Sequence, residues 1–236
     1  MTEAVILAGG KGERLRPLTN DRPKTMIEIN GKPLMAYQLH WLKSSGVQRV
    51  LVSCGYQHEV IQKYFGDGSK WDIQIEYFVE KEPLGRGGGL KLALKNIKDT
   101  NSPVLAINGD MVTTLNLDEV LRFYDKHKPM AALVSVPLKS PYGVIDINEA
   151  DKITGFREKP ELPYWINAGI YVLNPEILSL LPDVGDHEEL TFPQLALEKR
   201  LVAYKSRFYW RTVDTIKDLS ELLKELEIMS AQISHI

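Results

Sequence analysis

The stretch from Val5 to Lys24 reads VILAGGKGERLRPLTNDRPK. An apolar run gives way to Gly9, Gly10 and Gly12, and then to Arg14, Arg16, Arg22 and Lys24. A turn out of a strand needs one glycine. Additional glycines let backbone N–H groups approach an anion closely, which is how phosphates are commonly held. Fixed cations beside such donors suit a reaction that concentrates negative charge on the oxygens around phosphorus. The spacing is neither that of a P-loop, because GxxxxGK[ST] is absent, nor that of a dinucleotide fingerprint, because Leu15 stands where the third glycine belongs. The glycines alone fit a tight turn with a solvated basic loop equally well. Lys24 follows a proline-flanked segment expected to be extended rather than helical.

Other groups are less specific one at a time. Asp110 closes the apolar run in LAINGDM, and Asp214 lies in YWRTVDTIKDL. An aspartate after a strand is commonly a turn former, and Asp214 alone could N-cap the last helix. GFREKP alone reads as a surface charge run. No Ser–His or Cys–His pair suggests itself: the five histidines are scattered, and Cys54 lies in the apolar run VLVSC.

The elements that must position these groups alternate. AVILA, RVLVSC, IQIEYFV and PVLAING read as strands, and PLMAYQLHWLKSSG, HEVIQKYFG and GGLKLALKNI as helices, with Gly46 where a C-cap belongs. Strands separated by helices of about ten residues imply βαβ units and a mostly parallel sheet. After about residue 130, AALVSVP, YGVIDI, KITGFREK and NAGIYVLN are strand-like and closely spaced, which predicts a mixed extension; LTFPQLALEK and DLSELLKELEIMSAQI then read as helices. The expected fold is α/β, with a Rossmann-like, mostly parallel central sheet and helices on both faces. Residues 1–236 are expected to form one domain, with a nucleotide-binding first half over residues 1–130 and an elaborated second half over residues 131–236.

Bulk properties narrow the class. The 236 residues can bury a full core, and 44% apolar with 25% charged residues is ordinary for a globular protein. A net charge of −2 gives no global field to attract nucleic acid or an anionic membrane. One cysteine excludes an intramolecular disulfide and a cysteine-rich zinc site. No run approaches the ~18 apolar residues of a membrane span, and AVILA is too short for a signal peptide. A cytoplasmic location is expected.

Taken together, the motifs resemble those of the sugar-1-phosphate nucleotidylyltransferases. LAGGKGERLRPLTNDRPK is similar to that family's LxGGxGTRLxPLT…PK signature, and EKEPLGRGGGLKLA to its base-reading segment. LAINGDM, YGVIDI, GFREKP, WINAGIYVL and YWRTVDTIKDL resemble its later motifs, in the family's order and at strand ends where an open α/β sheet places ligands. The resemblance implies transfer of a nucleotidyl group from a nucleoside triphosphate to a sugar 1-phosphate, with release of pyrophosphate. It assigns catalysis to Arg14 and Lys24, and nucleotide binding to Leu7, Ala8, Gly9, Gly10, Gly12, Glu80, Pro83, Gly85 and Gly109. The sugar phosphate would meet Gly143, Glu158, Lys159, Asn167 and Gly169. Asp110 and Asp214 would hold Mg²⁺, an ion suited to hard carboxylate oxygens. The resemblance is closest to the short mannose- and heptose-1-phosphate guanylyltransferases.

The base can be argued from chemistry. An ionised carboxylate only accepts hydrogen bonds, so Glu80 suits the two adjacent N–H donors of guanine and faces the carbonyls of uracil or thymine poorly. GTP is therefore favoured, with mannose 1-phosphate as partner. A glucose-1-phosphate uridylyl- or thymidylyltransferase remains an alternative, as does an inactive nucleotide-sensing regulatory subunit. A glycosyltransferase of similar fold is disfavoured because NGDMV lacks its DxD motif.

Three residues depart from the family pattern. Glu13 replaces a threonine, Thr25 a proline, and Arg86 a small residue; Arg86 could add a phosphate contact or obstruct the base pocket. Hexapeptide repeats of a left-handed β-helix are absent, so a second activity is not expected. The apolar side of ELLKELEIMSAQI suits core packing, or contacts in a homo-oligomer.

Overall fold

A computed structural model describes residues 3–233. The strands are β1 (Glu3–Ala8), β2 (Glu28–Ile29), β3 (Lys32–Pro33), β4 (Arg49–Cys54), β5 (Gln74–Val79), β6 (Val104–Asn108), β7 (Met111–Thr113), β8 (Ala131–Lys139), β9 (Val144–Ile147), β10 (Ile153–Arg157), β11 (Glu161–Leu173), β12 (Leu201–Lys205) and β13 (Trp210–Thr212). The helices are α1 (Leu34–Ser44), α2 (His58–Phe65), α3 (Gly85–Leu94), α4 (Leu117–His127), α5 (Thr191–Leu197) and α6 (Ile216–Ile233).

Seven strands form the central sheet in the order β12-β8-β11-β6-β1-β4-β5. The pairs β1–β4, β1–β6, β4–β5 and β8–β12 are parallel, and β11 runs antiparallel to both β6 and β8. The sheet is thus mostly parallel, as the alternation predicts, with strands from both halves of the chain.

Strand alternation divides the core into two layers. Ala4, Ile6, Val50, Val52 and Ile107 pack on one face with Met35 and Leu39 of α1, Ile61 and Phe65 of α2, and Val120 of α4. Val5, Leu51 and Ala106 face the other way, against Leu90 and Leu94 of α3 and Phe192 and Leu195 of α5. A third cluster joins Leu15, Ile27, Ile29 and Leu34 to Val213 and to Leu222 of α6, fastening the glycine-rich loop's continuation to the end of the chain. Val120 and Tyr124 of α4 are buried at helical spacing, and Asn116 caps this helix by accepting from Asp118 N–H at 3.0 Å. Neither this helix nor β12 is among the elements that the sequence pattern predicts. In α6, Leu222 is buried in the core, as the apolar stripe suggests; the side chains from Met229 onward, which complete that stripe, lie outside the described residues.

Candidate active site

The carboxyl ends of β1, β4, β5 and β6 converge on a cleft of about 280 Å³, where an open parallel sheet places ligands. Its walls include Leu7, Ala8, Gly9, Gly10, Lys24, Thr25, Ser53, Glu80, Pro83, Gly85, Arg86, Asn108, Gly109 and Asp110. Eight of the nine residues expected at the nucleotide therefore line one cleft. The ninth, Gly12, does not line it but packs behind Lys24: its φ is 65°, and a Cβ there would stand 3.0 Å from Thr19 Cγ2 and 3.3 Å from Lys24 Cβ. Thr19 secures this turn by donating its hydroxyl to the Gly12 carbonyl at 2.8 Å.

Glu80 follows β5, and its backbone N–H donates to the Cys54 carbonyl at 2.8 Å, continuing the β4–β5 ladder. Its carboxylate accepts from the Ser53 hydroxyl at 3.2 Å and from Leu84 N–H at 3.1 Å. A Cβ at Gly9 would lie 2.9 Å, and one at Gly89 2.6 Å, from Glu80 Oε1. The two glycines make room for the carboxylate, which points into the cleft rather than to bulk solvent.

The opposite end of the cleft is ionic. Asp110 immediately precedes β7 and Asp214 follows β13; antiparallel pairing of these strands, Met111 opposite Thr212, sets the two aspartates side by side. The Val213 N–H donates to the Asp110 carbonyl at 2.9 Å and fixes the pair. Lys24 Nζ donates to Asp110 Oδ2 at 2.7 Å and to Asp214 Oδ1 at 2.6 Å. Arg14, on a short 3₁₀ turn over Glu13–Leu15, reaches Asp214 Oδ1 at 3.0 Å. Burial raises the Asp214 carboxyl's pKa, but the Lys24 and Arg14 cations outweigh it and hold the group below its ordinary value. Asp214 does not cap α6. That role falls to Thr215, whose hydroxyl accepts from Asp218 N–H at 3.2 Å, while the Asp218 carboxylate reaches back to accept from Thr215 N–H at 2.8 Å and from Asp214 N–H at 3.2 Å.

All four signature ionic residues, Arg14, Lys24, Asp110 and Asp214, thus form one cluster. The ammonium between the two carboxylates shows that a cation fits there. Two carboxylates are also the protein share expected of a magnesium site completed by water and phosphate. Among the described residues no group of three or more His, Cys, Asp or Glu stands ready to hold a metal by itself.

The residues expected at the sugar divide into two places. Asn167 and Gly169 lie in β11, beside the cleft. A Cβ at Gly169, whose φ is 70°, would come 2.6 Å from Asn108 Nδ2. Asn167 accepts from Gly169 N–H at 2.9 Å through Oδ1, and its Nδ2 donates to Glu188 Oε1 at 2.9 Å and to Tyr171 Oη at 3.0 Å. Gly143, Glu158 and Lys159 belong instead to the separate β9–β10 hairpin and its flanks, and none of them lines the cleft. Gly143 and Glu158 are neighbours there, since a Cβ at Gly143 would lie 3.1 Å from Glu158 Oε2. Lys159 is exposed, has a φ of 45°, and has no ion-pair partner among the described residues.

The departures resolve individually. Glu13 is exposed. Thr25 is buried and lines the cleft, and its hydroxyl has no hydrogen-bond partner. Arg86 turns its guanidinium to Asp186 and Glu188. Ser53, Gly89, Asn108 and Glu188 are the site residues that sequence reasoning missed. Ser53 was legible as the polar break in VLVSC; Glu188 had no local signal.

The family model described as "Nucleotidyl transferase" matches residues 3–228. The chain is 36% identical over 226 residues to the mannose-1-phosphate guanyltransferase of Pichia angusta, covering 92% of this chain and 62% of that protein. It therefore spans about three-fifths of that relative's length. The crystal structure of HddC from Yersinia pseudotuberculosis is similar with a TM-score of 0.75 at 28% identity, covering 96% of this chain and all of that one. A second structure of HddC, complexed with GMP-PN, aligns with a TM-score of 0.74. No helix among the described residues is long and apolar enough to cross a membrane. With one cleft walled by the glycine-rich loop, and with its four signature ionic residues clustered at that cleft's edge, the chain belongs to the nucleotidyl transferase family.

Proposed function

We propose that the chain joins GTP to mannose 1-phosphate, giving the nucleotide sugar and pyrophosphate. The observation that carries this reading is the polarity of the cleft: a fixed carboxylate acceptor, Glu80, at one end and the Lys24–Asp110–Asp214–Arg14 cluster at the other. A guanine would present two N–H donors to Glu80 while its phosphates reach the ionic end. The name of the Pichia angusta relative and the GMP-PN bound to HddC support the same nucleotide.

In this reaction an oxygen of the sugar 1-phosphate attacks the α-phosphorus in line. A P–O bond to it forms as the bond from the α-phosphorus to pyrophosphate breaks. The protein supplies no nucleophile; it aligns two mutually repelling anions and offsets their charge. The Gly9 and Gly10 backbone lies against the triphosphate, and Arg14 and Lys24 face its oxygens. Asp110 and Asp214 would hold a Mg²⁺ ion, whose chemistry when bound is to neutralise charge on the phosphates. Asn167 meets the sugar. Lys159, exposed on the β10–β11 connection, is assigned the sugar's phosphate.

Pyrophosphate release across four nucleoside triphosphates and mannose-, glucose- and heptose-1-phosphates tests the reading. We expect release with GTP and mannose 1-phosphate, and a fall of roughly a hundredfold or more for Asp110→Asn, the usual scale for losing charge organisation at a transition state. Release only with UTP or dTTP would retain nucleotidyl transfer and remove guanine. Silence with every pair would overturn the activity itself.

A further inference from the structure

Arg86 stands at the start of α3, on the nucleotide side of the cleft, yet its contacts lie toward the sugar. Its Nε donates to Asp186 Oδ2 at 2.6 Å, and a terminal nitrogen lies 2.8 Å from Glu188 Oε2. The other oxygen of Glu188 accepts from the Tyr171 hydroxyl at 2.5 Å and from Asn167 Nδ2 at 2.9 Å. Tyr171 is fully buried, and burial followed by the Glu188 charge raises its pKa well above the ordinary value, so it remains a donor. An ion pair to Glu188, followed by hydrogen bonds to the same carboxylate, therefore links the start of α3 to the Asn167 amide.

The backbone reinforces the link. Gly87 and Gly88 N–H groups donate to the Gly185 carbonyl at 2.9 and 3.3 Å, and Gly185 N–H donates to the Leu84 carbonyl at 2.8 Å. The loop carrying Asp186 and Glu188 is thus docked on the first turn of α3. That docking sets two carboxylates beside one another. Without the guanidinium between them they repel, and Glu188 keeps only neutral donors.

We propose that Arg86 is a positioning residue for the sugar phosphate: from the nucleotide side of the cleft it holds Glu188, and through Glu188 it fixes the Asn167 amide at the sugar. This rests on the reading that Asn167 meets the sugar of a nucleotidyl-transfer substrate. Arg86 is not needed for nucleotide affinity, because its guanidinium is committed to the two carboxylates. A planar fork can serve both carboxylates at once, whereas a lysine ammonium is a point charge on a flexible stem.

The test is a steady-state comparison of wild type, Arg86→Ala, Arg86→Lys, Glu188→Gln and Arg86→Ala/Glu188→Gln, using the substrate pair that wild type turns over best. Arg86→Ala is expected to raise KM for the sugar phosphate about tenfold and to leave KM for the nucleoside triphosphate within about twofold, a split that mere loosening of the fold would not give. Arg86→Lys should recover part of the loss. Glu188→Gln, which preserves the side chain's shape while removing its charge, should show the same split. The double variant should be no worse than the more impaired single one, the signature of residues acting as one unit. A rise confined to the nucleotide's KM would make Arg86 a nucleotide contact and overturn the proposal, as would unchanged constants or additive effects. A wild type silent with every pair overturns the functional reading and the coupling with it; an active wild type with the wrong split overturns the coupling alone.

Discussion

Glu80 has roughly four lone-pair sites on its carboxylate, and the protein occupies two of them, with the Ser53 hydroxyl and Leu84 N–H. The remaining two leave each carboxylate oxygen with acceptor capacity at the cleft wall. A hydrogen bond to a charged acceptor is worth about 1.5–3 kcal/mol, so Glu80→Gln is expected to lower kcat/KM for GTP by roughly ten- to a hundredfold at about 1.4 kcal/mol per decade. The amide's new donor can meet a pyrimidine carbonyl, so turnover with UTP should hold or rise. Unchanged selectivity in a competition between GTP and UTP would show that backbone groups read the base. Glu80 was legible in the sequence because it directly follows a β-strand run and precedes a glycine-rich segment. Glu188 was not: it sits 21 positions from Asn167 on an unpatterned loop, and only the fold brings the two together. The same holds for Asp110 and Asp214, which the sequence could pair only through the resemblance to a known family.

At the scale of elements, the glycines divide by what they face. Gly88 is in a helix, where glycine is a poor choice, and a Cβ there would stand 2.4 Å from the Asp183 carbonyl oxygen. Its reason is the close approach of α3 to the 182–188 loop. Gly10 has nothing within 4 Å of its added Cβ and no left-handed backbone, so nothing in the protein itself requires a glycine. Gly88→Ala is therefore expected to cost about 1–3 kcal/mol of stability, as overpacking does. Gly10→Ala should change stability by less than about 0.5 kcal/mol, as a surface change does, while weakening nucleotide binding measurably. Urea titration and nucleotide titration of the two variants separate these outcomes; a destabilised Gly10→Ala with intact nucleotide affinity would reverse the assignment. Apolar runs of five to seven residues announced β1, β4, β5 and β6 plainly. The helix α4 carries only a narrow apolar stripe within LDEVLRFYDKH, and β12 gains its identity from pairing with β8, which no local pattern reveals.

The whole molecule separates function from support along the strand direction. The cleft occupies the carboxyl ends of the strands, and the amino ends of β1, β4 and β5 are tied together by Arg49, whose side chain is only 7% exposed. Its guanidinium pairs with the buried Glu3 and, at 2.6 Å, with Glu76, and donates to the Asn96 carbonyl at 3.1 Å. Removing one member of a buried pair strands the other charge, so Arg49→Met is expected to cost about 3–5 kcal/mol of unfolding free energy. Because the site lies at the far end of the sheet, kcat/KM of the folded variant should match wild type at low temperature. The pH dependence identifies the mechanism. Arg49 holds the Glu76 carboxyl below its ordinary value of 4.5, so in wild type the stability from Glu76 is fully present above pH 4.5 and is lost as pH falls through the depressed value. Arg49→Met abolishes that depression and with it this part of the acid loss. The stability gap between wild type and variant, measured by urea unfolding at successive pH values, should narrow as pH drops below 4.5. A gap that stayed constant into stronger acid would mean that Arg49 acts through the Asn96 carbonyl and its packing rather than through its carboxylate partners.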